Sequence, residues 1–389
     1  MTATPTHPHA PRYMIGCMTG TSLDGLDAAL VRLDGVGRGV SAQFVAVHSV
    51  SFPAALRATL LAMAGDEPVR TSRILAAARA LGELHVAACR PLLERAGAAV
   101  DLVVAHGQTV CHSPATAGGS SRGVSWQLLD PWPIARDLGV RVCYDLRQAD
   151  LIAGGEGAPI TPIADPILYP LDDAAAVNLG GICNVTRWRL SGGGEPPAIT
   201  GGDIGPCNLV LDGLASRLFP GDAYDAEGGH AIAGTARDEA VSVIAGMVDA
   251  ACDRRSLGRE QFGGSFIDEV VHRNHGVEAE DLLAAAVEAI ASRIAAHLSA
   301  DPPRTAVLAG GGARHPLLAR RIAAHAEGID VRLSSDFGVP LEAREAAAMA
   351  VLGALSWDGV PITLADITGG DRPGIAGSWV SPQRGADRA

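Results

Sequence analysis

Two segments of this chain follow one plan: an apolar strand, a short glycine turn and a returning strand. The first runs from Tyr13 to Met18, turns through Thr19-Gly20-Thr21-Ser22, and returns with Leu26, Ala28, Leu30 and Leu33 interleaved with Asp27 and Arg32. The second comes about 160 residues later: Ala174 to Asn178, the turn Leu179-Gly180-Gly181, then Ile182 to Arg189. Period-two alternation around a glycine turn reads as a β-hairpin, and its recurrence predicts two domains that open alike. Glycines let backbone N–H groups approach a ligand, and N–H groups with hydroxyls form a cradle for phosphate oxygens. The first tip carries Gly20 and Gly25, the hydroxyls of Thr19, Thr21 and Ser22, and the carboxylate of Asp24. A carboxylate so placed can hold the magnesium of a nucleotide, directly or through water. A tight hairpin with a polar tip would use the same residues.

Composition narrows the choice. The chain has no lysine, so all 31 basic residues are arginine. That removes the Gly-Lys-Ser/Thr phosphate loop, the strand lysine of protein kinases and Schiff-base chemistry. A nucleotide must then be held by backbone amides, hydroxyls, arginine and metal. The net charge of −12 argues against nucleic acid as a partner. Seven cysteines without a Cys-x-x-Cys pair fit a reducing compartment better than a disulfide frame or zinc site. Residues 1–12 read as a flexible tail rather than a signal peptide. No apolar run approaches the roughly 18 residues of a membrane span, so a cytoplasmic protein with no membrane partner is expected.

At 389 residues the chain has room for two or three domains. A third strand is expected over Phe44 to Val50 and a helix from near Pro53. Thr71 or Ser72 should cap a longer helix with Ile74, Leu75, Ala78, Leu81, Leu84, Ala88 and Leu92 on one face. Asp101 to Ala105 reads as a buried strand ending in His106-Gly107-Gln108-Thr109, and Val140 to Tyr144 as another ending in Asp145-Leu146-Arg147. Residues 115–123 read as a loop, and Gly154 to Pro170 as a hinge. Later, Asp281 should cap a helix carrying Leu283, Val287, Ile290, Ile294 and Leu298. Thr305 to Leu308 is a strand that ends in Ala309-Gly310-Gly311-Gly312-Ala313-Arg314, and Pro316 opens the next helix. The expected division is an N-terminal lobe of 13–170 plus about 357–389 and a C-terminal lobe of 171–356.

Two hairpin-led lobes with a late triple glycine describe a cleft that clamps a nucleotide, which resembles the plan of the sugar kinases, actin and the heat-shock ATPases; the resemblance implies an α/β, two-lobed, actin-like ATPase of ribonuclease H-like fold with a nucleotide and sugar cleft between the lobes. Such lobes close on the ligand and exclude water from phosphoryl transfer. Within that superfamily the resemblance is specific. Gly20-Thr21-Ser22-Leu23-Asp24-Gly25-Leu26-Asp27, Ala105-His106-Gly107-Gln108-Thr109-Val110, Gly155-Glu156-Gly157-Ala158-Pro159, Asn178 to Thr186, Tyr224-Asp225 with Gly228, and Gly310 to Arg314 resemble segments of anhydro-N-acetylmuramic acid kinases. They fall in one order from Ile15 to about Gly377.

The resemblance implies an enzyme that uses ATP, Mg2+ and water to open the internal 1,6-ether of the anhydro sugar and phosphorylate O6, in the recycling of bacterial cell-wall sugars. It implies a small-molecule partner and a homodimer. Gly20 through Asp27, with Gly180, Gly181, Asn184, Gly310, Gly311 and Gly312, would bind the nucleotide, and Asp24 the metal. The family's catalytic aspartate matches Asp203, in Asp203-Ile204-Gly205-Pro206-Cys207-Asn208. Following Ile199-Thr200-Gly201-Gly202, it is expected at a strand end, and an aspartate here could instead cap a helix starting near Asn208. Ile204 replaces a hydroxyl-bearing residue and Cys207 a glycine. Glu345 is expected as a second catalytic carboxylate, since it resembles a glutamate that faces the sugar, although a solvated helix face would also explain it. His106, Asp145, Arg147 and Asn208 would bind the substrate. Arginine offers a fork for the sugar's lactyl carboxylate, while an ion pair of Arg147 with Asp150 or a packed, hydrogen-bonded His106 would be purely structural. Asp130-Pro131 lacks the family's preceding glycine. Two other functions stay open: a kinase for a different 1,6-anhydro sugar, or a non-catalytic nucleotide-binding relative.

Overall fold

A computed structural model describes residues 10–20, 23–114, 122–190, 197–252 and 259–382. Thr21 and Ser22, most of the 115–123 loop and nearly all of the tail lie outside the described residues. The chain forms two compact units, residues 1–170 with 345–389 and residues 171–344. Before residue 170 come β1 (Arg12–Thr19), β2 (Gly25–Asp34), β3 (Ser41–Ser51), β4 (Leu102–Ala105), β5 (Gln108–Ser113), β6 (Val124–Leu128) and β7 (Arg141–Tyr144). Next are β8 (Asp173–Leu179), β9 (Ile182–Arg189), β10 (Ala198–Pro206), β11 (Thr305–Ala309) and β12 (Asp330–Leu333). A last strand, β13 (Ser378–Val380), belongs to the first unit.

The first sheet has the order β13-β7-β4-β1-β2-β3 and the second β10-β9-β8-β11-β12. In each, a three-stranded antiparallel meander is extended by two strands parallel to its first member. This is the ribonuclease H-like order, present twice. The expected hairpins are β1–β2 and β8–β9, each paired residue for residue across its turn. β3 extends beyond both ends of the predicted strand.

Both faces of the first sheet are covered. Ile15 and Cys17 of β1 pack with Leu60, Leu81, Cys89 and Leu92 from the helices Ala54–Ala64 and Thr71–Arg95. The opposite face takes the helix Arg344–Trp357 so closely that a Cβ on Gly16 would strike the backbone of Ala346 and Ala350, and one on Gly353 would strike Val104. This packing brings the chain back to the first unit at Glu345, ahead of the expected 357. The helix Thr71–Arg95 begins after an extended Arg70 with no side-chain cap, in place of a Thr71 or Ser72 cap. Its buried seam runs through Ala77, Leu81, Ala88 and Leu92, which turns Leu75 outward, 67% exposed.

In the second unit the helix Ala279–Ala300 lies at the centre of the core, with Leu283, Val287, Ile290, Ile294 and Leu298 buried. Glu278, not Asp281, is its N-cap residue. Asp281 sits in the first turn and accepts from Thr235 N–H (2.8 Å) and Arg237 Nε (2.6 Å). Among the described residues this helix is the one long and apolar enough to cross a membrane, contrary to the sequence expectation, yet 67% of its apolar window is buried within the fold. It is a core helix rich in alanine. All seven cysteines are free thiols.

Candidate active site

In the first unit, parallel β1, β4 and β7 are neighbours, so their carboxyl ends lie side by side. Open α/β sheets bind ligands at that edge. Gly20 follows β1, His106 and Gly107 follow β4, and Asp145 follows β7. Thr19 Oγ1 donates to Gly107 O (2.6 Å), and Gln108 Nε2 to Gly20 O (3.3 Å), which ties the first glycine turn to the end of β4. Leu23 takes φ 56 with a buried side chain, and its carbonyl accepts from Arg57 Nε at 3.0 Å. Leu26, paired within β2, is buried in the core, so its side chain does not meet a ligand. Asp27 accepts from Ser49 Oγ, and Asp24 stands exposed at the bend beyond the tip.

His106 is buried, and its Nδ1 donates to Gly107 O at 2.7 Å. With the proton on Nδ1, Nε2 is the acceptor for Arg147 Nε (3.0 Å) and Nη2 (2.9 Å). Arg147 Nη1 donates to Gly157 O at 2.7 Å. Asp150 turns instead to Gly157 N–H and the Thr368 hydroxyl, so the histidine, not an aspartate, fixes the guanidinium. Burial lowers the Arg147 pKa to about 10, and the nearby charges of Glu345 and Asp150 act against that fall. Glu345 is partly buried in the first turn of a helix whose following residues are wholly buried, not on a solvated face. Asp145 has φ 57, a strained value for a side-chain-bearing residue, and burial raises its pKa. Asp130 is occupied structurally by Arg79 and Trp132 N–H.

In the second unit Asn178, Asn184 and Asp203 occupy one row across β8, β9 and β10. Directly opposed residues share a face, and the flanking Val177, Leu179, Cys183 and Val185 face the core. Asp203 therefore stands on the face turned away from that core. It lies within β10, not at its end, because pairing resumes through Gly205 after a register shift at Ile204. It is not a helix cap either: the helix Asn208–Leu218 has Cys207 at its N-cap position. The bulge sends Ile204 into the core, and its carbonyl accepts from Arg293 Nε at 2.7 Å. Cys207 has φ −131, so no glycine is demanded there, and its thiol is buried in the same core. Both departures from the family pattern point inward.

The glycine turns of this unit form one cluster. Asn208 N–H donates to Gly180 O (3.0 Å) and Cys207 N–H to Gly181 O (2.9 Å). Gly310 takes φ 86, and a Cβ on it would stand 2.6 Å from Asn178 Oδ1; one on Gly312 would stand 2.7 Å from Asn208 Oδ1. A Cβ on Gly311 would have more room, 3.6 Å from Asn208 Nδ2. These contacts bring Gly180, Gly181, Asn208 and Gly310–Gly312 together, and the pair register sets Asn184 next to them. The Tyr224-Asp225 motif has a structural use: Asp225 accepts from His230 and Ala231 N–H at the start of a short helix, and Gly228 packs on the His315 ring. The sequence reading quotes Gln108 within a motif without giving it a role, misses Thr368, and sees Asp150 only as a pair for Arg147. Asp150 and Thr368 meet across 218 positions, which no local pattern signals.

Buried neutral histidines give the first unit an acid sensitivity. Burial lowers His85 to about 4 and His106 to about 3, from an ordinary 6.5. Below pH 6.5 the unfolded chain binds a proton at each that the folded chain refuses, so stability present above 6.5 is lost as pH falls towards those values. Each contributes a slope of about 1.4 kcal/mol per pH unit across that window. Urea midpoints of the full chain should fall from pH 7 to pH 5, and His85→Leu should flatten the dependence. A slope unchanged in His85→Leu would contradict it.

Two ribonuclease H-like units in one chain, each with its first hairpin turned by glycine, define the actin-like ATPase class to which sugar kinases belong. A family profile described as anhydro-N-acetylmuramic acid kinase matches residues 12–382, and the chain belongs to that family. Proteins named anhydro-N-acetylmuramic acid kinase are 34% identical in Salinibacter ruber (97% of this chain, 98% of that one) and 36% identical in Rhizorhabdus wittichii (92% and 96%). The Bordetella parapertussis relative of that name is 35% identical over 95% of this chain and 96% of its own.

Proposed function

We propose that this protein is an ATP-dependent kinase that opens 1,6-anhydro-N-acetylmuramic acid with water and phosphorylates O6, giving N-acetylmuramic acid 6-phosphate and ADP. The observation that carries it is Asp203, an acid on the non-core face of its sheet in the same row as Asn184, within a chain that matches the family over residues 12–382. Asp203 takes a proton from water as its oxygen bonds to C1. The C1–O6 bond breaks, O6 takes the γ-phosphoryl group, and ADP leaves. Asp203 later releases the proton to solvent, so the reaction balances as sugar plus water plus ATP.

The segment Gly20–Asp27 and the glycine turns Gly180–Gly181 and Gly310–Gly312 would bind the nucleotide, with Asn184 beside the second turn. Asp24 fits Mg2+ in donor type, a single exposed carboxylate leaving the other positions to phosphate and water. The ion would neutralise phosphate charge. Arg147, aimed by His106, would hold the lactyl carboxylate, with Asp145 and Glu345 at the same sheet edge. Ile204 and Cys207, both in the core, give no support to a change of sugar. Drawing on ATP, the enzyme would work in the cytoplasm, as a homodimer, in the recycling of cell-wall sugars.

Incubation with the anhydro sugar and ATP in oxygen-18 water tests both halves of the reaction. The expected product carries the label at C1 and an unlabelled phosphate at O6. A 6-phosphate without label at C1 would overturn the hydrolytic half, and absence of any sugar phosphate would overturn the whole.

A further inference from the structure

Asp150 is a buried acid that the reaction above leaves unused, 1% exposed in the short helix Gln148–Ile152. Its Oδ2 accepts Gly157 N–H at 2.7 Å and its Oδ1 accepts the Thr368 hydroxyl at 2.6 Å. The glycine segment wraps the carboxylate so tightly that a Cβ on Gly155 would run into it, and one on Gly370 would stand 3.3 Å from Oδ1. Gly157 itself has φ 73, a conformation that suits glycine. Having given its N–H to Asp150, Gly157 presents its carbonyl to Arg147 Nη1 at 2.7 Å. His106 Nε2 fixes Nε and Nη2 on the other side of the guanidinium. Three of the five N–H groups are thus committed to the scaffold, and two remain for a ligand carboxylate.

We infer that Asp150 is a positioning residue for the sugar-binding arginine: it holds the Gly157 carbonyl in place and thereby aims Arg147. The inference rests on the proposed role of Arg147 as the partner of the lactyl carboxylate. Asp150 sets how well that carboxylate is met and leaves the nucleotide turns alone. A merely structural acid would move stability and every kinetic constant together.

The test uses the full chain, with ADP release measured against anhydro sugar and ATP in turn, alongside the thermal midpoint. Asp150→Ala is expected to raise KM for the sugar at least tenfold, with kcat within threefold and KM for ATP within twofold. Asp150→Asn should return the sugar KM to within threefold of the parent. Its amide oxygen still accepts from Gly157, and its N–H can meet Thr368 Oγ1, which then donates to Leu364 O, already 3.2 Å away. Combining Asp150→Ala with Arg147→Ala should be no worse than Arg147→Ala alone. A sugar KM unmoved in Asp150→Ala, or both KM values moved alike, overturns the inference while Arg147→Ala still raises the sugar KM. An Arg147→Ala variant with an unchanged sugar KM overturns the underlying role of the arginine, and the inference with it. Should Asp150→Ala fail to fold, Thr368→Val decides: a severalfold rise confined to the sugar KM supports the inference, and an unchanged value overturns it.

Discussion

Asp203→Asn is expected to lower kcat roughly 10³-fold, the middle of the range for loss of a positioned general base, with ATP affinity changed less than about threefold. The asparagine keeps the size and polarity of the side chain, so the β10 bulge that presents it should persist. That bulge is built by Ile204 in the core and by Arg293 on the Ile204 carbonyl, neither of which the substitution touches. What the amide lacks is an acceptor basic enough to take a proton from water. Steady-state turnover together with equilibrium binding of a non-hydrolysable ATP analogue separates the two effects. Full activity in the variant would remove Asp203 from the mechanism, and a parallel loss of nucleotide binding would make it a scaffold residue.

Gly16→Ala should cost about 3 kcal/mol of stability, the upper end for overpacking. The methyl group would meet the backbone of Ala346 and Ala350, and peptide groups of a buried helix cannot swing aside as a side chain would. Only separation of the helix Arg344–Trp357 from β1 would relieve the clash. Gly246→Ala is the matched control, in the helix Asp238–Ala251 with nothing within 4 Å of the new methyl. There the same change should stabilise by up to about 1 kcal/mol, because glycine is a poor helix former. Urea unfolding of the two variants should therefore move in opposite directions. A Gly16→Ala chain as stable as the parent would show that helix and sheet are less closely packed than described.

The parts of the fold that were legible in the sequence are those with a local period. Both hairpins, the buried parallel strands and the long helix seams follow from alternation and helical spacing, and the family motifs fall on the turns between them. Failures have a common cause in tertiary context. Leu75 was placed inside because a helical seam admits neighbours on either side, and only the packed sheet decides which are covered. Asp203 was placed at a strand end because a bulge depends on the partner strand β9, not on the residues around it. For Glu345 the sequence leaves a solvated helix face open beside a place facing the sugar, and only the packing of its helix against one face of the first sheet closes that alternative. The arginine's setting was half visible: His106 and Arg147 each stood at a strand end, but their bond spans 41 positions and the Asp150–Thr368 bond 218.

Because the second unit is contiguous while the first is assembled from both ends of the chain, order of synthesis separates their folding. Residues 171–344 have all their strands and helices as soon as they leave the ribosome. Until residues 345–380 emerge, the amino-terminal sheet lacks the helix on one of its faces, its edge strand β13 and the Arg12–Asp358 pair. During translation the later-made half can therefore mature first, and a premature stop between residues 344 and 378 leaves the earlier half as the casualty.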